Sequence, residues 1–131
     1  MPSEVELARV GVEAYNEGNL ERVLELTDPE VTMVPDRSLL EGGEYRGHEG
    51  VRRFLADMEE DWESRGIEIE EIRQLDDGVL ILGTFVAVGR SGNEVRYPVA
   101  WHSCYRDGKL LRLTAYSDQE TAQRELGPRR A

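Results

Sequence analysis

The stretch EYRGHEGVRRFL, residues 44 to 55, gathers residue types that hold charge. Gly47 and Gly50 flank His48 and Glu49, with Arg46 before them and Arg52 and Arg53 behind. Glycines beside basic residues at a helix start can cradle phosphate, and histidine can ligate a metal. The surroundings complete neither chemistry. The segment follows a loop, without the strand, glycine-rich loop and helix of a phosphate-binding unit. His48, His102 and Cys104 make no recognised ligand spacing, and a zinc or iron site needs several converging ligands. No Ser–His–Asp arrangement or dinucleotide fingerprint is present either, so neither a metal nor a cofactor is expected. The groups left for moving protons are the carboxylate of Asp36, the phenol of Tyr15 and the imidazole of His102.

The totals narrow the partners. A chain of 131 residues suits one domain spanning its whole length, 1–131. Its 16 basic and 27 acidic residues give a net charge of −11, which argues against nucleic acid and against an anionic membrane surface. Cys104 is alone, so no intrachain disulfide can form and a reducing compartment is the simpler reading. The first residues, MPSEVELARVG, lack the basic and apolar regions of a signal peptide, and no apolar run is long enough to span a membrane. A cytoplasmic protein is expected.

These candidates have to be positioned by the elements that the periodicity predicts. Ser3 with Glu6 is a capping-box pattern, and Val5, Ala8, Val12 and Tyr15 follow at helical spacing up to Gly18. Asn19 caps a short second helix that stops before Pro29. Residues 31–35 read as a short strand and 36–46 as a loop. Val51, Phe54, Leu55, Met58 and Trp62 form the cleanest helical stripe in the chain, predicting a third helix ended by Gly66. Strands follow: Ile67 and Ile69 alternate with glutamates, and Ile72 falls out of phase, predicting a bulge. Residues 79–90, 94–106 and 110–117 are long strands, the last two joined by an Asp-Gly hairpin turn at 106–109. Asp118 caps a closing helix over 119–126. Helices followed by an antiparallel meander make an α+β layer, with an apolar concavity suited to a small molecule.

This order of elements, with DPEV at 28–31, YRGHEGVRRFL at 45–55, RDGKLLRLTAYSD at 106–118 and the acidic closing helix, resembles the SnoaL-like group of the nuclear transport factor 2-like superfamily. The resemblance runs over roughly residues 4 to 126. It implies a cone-shaped α+β fold, with N-terminal helices packed on a curved antiparallel, mixed-edge sheet. It also implies a pocket between helices and sheet, and a homodimer formed through the sheet. The group hosts isomerases, cyclases, dehydratases, epoxide hydrolases and non-catalytic binding proteins, so the fold alone decides no activity.

Position by position, the catalytic patterns of those relatives are broken. Aligned on NEGNL at 16–20, the ketosteroid isomerase tyrosine falls on Gly11, the base on Pro35 and the oxyanion aspartate on Trp101. The last-strand aspartate of the epoxide hydrolases falls on Ala115. Asp36, beside Pro35 where the first strand leaves the helices, is the surviving acid/base candidate, with Tyr15 as hydroxyl donor. Along the penultimate strand Val99, Trp101, Ser103 and Tyr105 share one face, and the alignment turns that face to the pocket. His102 then faces outward, toward the expected dimer interface. The expected ligand-lining set is Tyr15, Met33, Pro35, Tyr45, Phe54, Leu55, Met58, Trp62, Trp101, Ser103, Leu113 and Ala115. Its aromatic content favours a flat hydrophobic or aromatic ligand held by shape, without a strong catalytic dyad. The alternative is a cofactor-independent isomerase, cyclase or dehydratase using Asp36 with Tyr15 or His102.

Overall fold

The computed structural model describes residues 2–35, 44–116 and 118–126. Helix α1 (Glu4–Glu17) starts where the Ser3 hydroxyl accepts the Glu6 amide at 3.1 Å, satisfying one of the orphan N–H groups of a helix start. The Asn19 side chain does the same for α2 (Leu20–Leu26) through the Arg22 amide. Strand β1 (Thr27–Val34) begins four residues earlier than its apolar residues alone predict. A two-residue strand, β2 (Tyr45–Arg46), pairs with β1 at Thr32 and Met33. Next come α3 (Gly47–Asp61), β3 (Trp62–Leu75), β4 (Gly78–Gly89), β5 (Glu94–Arg106), β6 (Lys109–Tyr116) and α4 (Gln119–Leu126).

The strands form one sheet in the order β2-β1-β6-β5-β4-β3, with β1 and β6 parallel and every other pair antiparallel. The predicted break in β3 is present, as a register shift between Ile69 and Glu71. The β5–β6 turn carries positive φ at both Asp107 and Gly108, the conformation a tight hairpin needs. The predicted third helix is corrected at its end. It stops at Asp61, and Trp62 is extended and paired with Gly89. Two Arg90 donors occupy the helix's last carbonyls, those of Glu59 and Glu60, so strand pairing and a side-chain cap override the apolar stripe that reached Trp62.

Strand β4 is apolar on both faces because both are covered. Val79, Ile81, Phe85 and Ala87 pack with Val12, Tyr15, Met33, Val51 and Leu55 under α1 and α3. Leu80 and Leu82 pack with Ala100 and Tyr116 under Ala122 and Leu126 of α4. The Asp118 carboxylate caps α4 by accepting the Thr121 amide at 2.7 Å. No helix among the described residues is long and apolar enough to cross a membrane.

Candidate functional site

Between α1, α3 and the inner face of the sheet lies a cavity of about 260 Å³. Its wall includes Met33 and Pro35 at the end of β1, Phe54 and Met58 from α3, Trp62 and Ile67 from β3, and Phe85 from β4. Strand β5 adds Tyr97, Val99 and Trp101, and β6 adds Leu113, Ala115 and Tyr116. A deeper space of about 70 Å³ continues toward α2 and reaches Leu55, Ser103 and Tyr105. Tyr15, Met33, Phe54, Trp101 and Leu113 border both spaces and form the waist between them.

The waist is aromatic. Tyr15 meets the edge of Trp101 at 5.5 Å between ring centroids and stacks toward Phe54 at 6.2 Å. At the β3 end, Trp62 meets Phe85 at 5.8 Å, and Phe85 meets the half-exposed Tyr97 at 5.1 Å. Burial pushes the Tyr15 phenol up to about 12, a rise that the Arg65 guanidinium partly offsets. Tyr15 is therefore neutral at ordinary pH and can donate one hydrogen bond. Tyr105 is likewise pushed up to about 12 by burial, with Ser103 hydrogen-bonding against the rise.

Eleven of the twelve residues expected to line a ligand border one or both spaces, Trp62 among them even though it begins a strand. The exception is Tyr45. Its ring packs edge-on against Phe54, its hydroxyl donates to the Asp57 carboxylate at 2.8 Å, and the Arg53 guanidinium covers it, outside both linings. Asp36 lies outside the described residues, although its neighbour Pro35 borders the larger space. His102 sits on the far face of β5, with Nε2 at 3.4 Å from an Asp77 carboxylate oxygen and 4.0 Å from the Cys104 sulfur. Burial raises the Cys104 thiol, which makes it a poorer nucleophile. His48 donates from Nε2 to the Thr27 carbonyl at 3.0 Å and ties α3 to β1. No group of three metal-ligating side chains converges among the described residues.

Phe85 and Tyr97 add to the expected lining, and Arg65, which borders neither space, lies against the Tyr15 ring. Arg65 had a signal: it precedes Ile67 by two residues, so alternation puts it on the same inward face of β3. Phe85 and Tyr97 are register partners, a pairing that only the sheet reveals.

Helices laid across a curved mixed sheet, with a cavity between the layers, define the nuclear transport factor 2-like class. One solved structure, an NTF2-like protein from Burkholderia thailandensis, superposes with a TM-score of 0.78 at 17% identity, covering 94% of this chain and 97% of its own. TerC, co-crystallised with polyporic acid, superposes at 0.75 with 21% identity, covering 94% and 96%. A protein of ketosteroid isomerase-like fold from Catenulispora acidiphila, in complex with trimethylamine, superposes at 0.76 with 16% identity, covering 93% and 92%. Within this class the chain belongs to the SnoaL-like domain family, whose model matches residues 9–113. No curated protein matches the chain.

Proposed function

We propose that the protein binds a small hydrophobic or aromatic molecule between α1, α3 and the sheet, held by shape and a few hydrogen bonds rather than by a strong catalytic dyad. The observation that carries this reading is the aromatic wall. Tyr15, Phe54, Trp62, Phe85, Tyr97 and Trp101 surround a space of about 260 Å³ whose other neighbours are nearly all apolar. Two proteins of the same fold, crystallised with polyporic acid and with trimethylamine, support a small-molecule role. The net charge of −11 speaks against a nucleic-acid partner. The test is a thermal-shift and tryptophan-fluorescence screen with naphthalene-type probes. Saturable quenching and a raised melting temperature are expected, both lost in Trp101→Ala. A screen in which no probe binds would overturn the reading.

A second reading is cofactor-independent isomerase, cyclase or dehydratase chemistry with Asp36 as base and Tyr15 as hydroxyl donor. What favours it is the neutral Tyr15 phenol at the waist, together with Pro35, the neighbour of Asp36, at the cavity wall. Pairing Asp36 with His102 is less favoured, since His102 lies on the far face of β5. Turnover of an enolisable aromatic ketone, lost in both Asp36→Asn and Tyr15→Phe, would establish this second reading. No turnover in the wild type would end it. We also read the protein as a cytoplasmic homodimer joined through the outer sheet face, on the strength of the family resemblance. Light scattering that gives a monomer mass would overturn the dimer.

A further inference from the structure

We infer that Arg65 is the charge anchor of the cavity, so that the preferred ligand carries an anionic oxygen, a carboxylate or enolate, on its aromatic frame. This deepens the binding reading above and rests on it. The guanidinium lies over the Tyr15 ring, 4.6 Å from carbon to centroid. Two of its nitrogens, Nε and Nη2, are buried, and neither has an acceptor among the described residues. Arginine keeps its charge in any protein environment, so these donors cannot be relieved by losing a proton. A buried charged donor without an acceptor costs more than a neutral one, and such groups are rare in native proteins.

The place of Arg65 says where the acceptor would come from. It shares the inward face of β3 with Ile67, and both Ile67 and Tyr15 border the 260 Å³ cavity. Arg65 itself lines neither space and the two nitrogens expose almost no surface, so a molecule in the cavity meets them once the long side chain turns past Tyr15. A planar guanidinium fork matches a carboxylate or enolate better than it matches a single neutral carbonyl. The general field of the protein does not explain a preference for anions. With a net charge of −11, it repels them.

The experiment compares 1-naphthoate with its uncharged methyl ester, by calorimetry, on the wild type and on Arg65→Met. The wild type is expected to bind the carboxylate about tenfold or more tighter, the equivalent of one charge-assisted hydrogen bond. That preference should persist at high salt, because a buried pair is little screened. Arg65→Met should lose the preference while keeping its affinity for the ester within about threefold. Should Arg65→Met not fold, Arg65→Lys retains charge without the fork and is expected to lose most of the preference. Equal affinities in the wild type, or an undiminished preference in the folded variant, would overturn the inference and leave the cavity reading standing. Binding of neither probe to the wild type would overturn both.

Discussion

Asn16 on α1 and Ile67 on β3 exchange two hydrogen bonds across 51 residues of sequence. The Asn16 side chain donates to the Ile67 carbonyl at 3.0 Å and accepts the Ile67 amide at 2.8 Å. Strand β3 is the last in the sheet, so one of its backbone edges has no strand partner among the described residues. The amide of Asn16 stands in for that strand, covers the edge and fixes α1 against it. Tyr15 and Arg65, neighbours of this pin, are brought face to face by it.

Removing the pin should therefore cost stability. Asn16→Ala is expected to lose about 2 kcal/mol, the sum of two part-buried hydrogen bonds. The urea midpoint should fall with an unchanged slope. Asn16→Asp should be worse, because it sets a carboxylate against the Ile67 carbonyl. An unchanged midpoint in Asn16→Ala would show that water replaces the pin at no cost.

Two glycines in helices should respond with opposite signs. A Cβ on Gly50 would stand 2.8 Å from the Tyr45 carbonyl carbon and 3.2 Å from its Cα, both backbone atoms that cannot swing away. Gly50→Ala is expected to destabilise by about 1–3 kcal/mol through overpacking, more than the helix propensity it gains. Nothing lies within 4 Å of a Cβ on Gly11, so Gly11→Ala should stabilise by up to about 1 kcal/mol. Chemical denaturation of the two variants side by side checks both signs.

Trp101 should matter to stability and binding together. It touches Tyr15 and borders both spaces. Trp101→Ala is expected to cost roughly 2–4 kcal/mol and to weaken an aromatic probe by at least about tenfold. Trp101→Phe should cost less than about 1.5 kcal/mol, because it keeps an apolar ring there. Equal probe affinity in the wild type and Trp101→Ala would place the ligand elsewhere.

The acid limb of stability should depend on Asp28. Its carboxyl is held below the usual carboxylate range by the Arg106 guanidinium, at 3.0 and 3.3 Å, and by the Glu30 amide at 2.8 Å. A carboxyl whose folded value is depressed contributes fully at neutral pH and loses that contribution as pH falls through the folded value. Melting temperature should thus drop on acidification below the ordinary carboxylate range, and Asp28→Asn should flatten part of that drop. A variant profile parallel to the wild type would remove Asp28 from the acid transition.

Much of the fold was legible because it is written in local chemistry. Ser3, Asn19 and Asp118 each bond an amide three residues away, and Asp107–Gly108 adopts a turn that its residue types favour. Local stereochemistry of that kind survives in any context. The face shared by Val99, Trp101, Ser103 and Tyr105 was legible from alternation alone. The end of α3 was not, because Trp62 continues the helical stripe and only its pairing with Gly89, together with the Arg90 cap, turns it into a strand.

The candidate site divides the same way. Sequence by itself determined the family, the aromatic and apolar character of the lining, and the absence of a recognisable metal or cofactor signature, because these rest on residue type and spacing. The tertiary structure decided which of the charged residues lies against Tyr15, a residue of the cavity wall. The stretch around Gly47 and His48, rich in residue types that hold charge, docks α3 on β1 through His48 and the Thr27 carbonyl. Arg65, in a segment of glutamates and isoleucines, is set against Tyr15. That contact joins two residues 50 apart in sequence, and the two buried nitrogens without an acceptor among the described residues exist only once the layers have closed. Burial and long-range pairing are properties of the packed chain, so no local pattern of residues announces them.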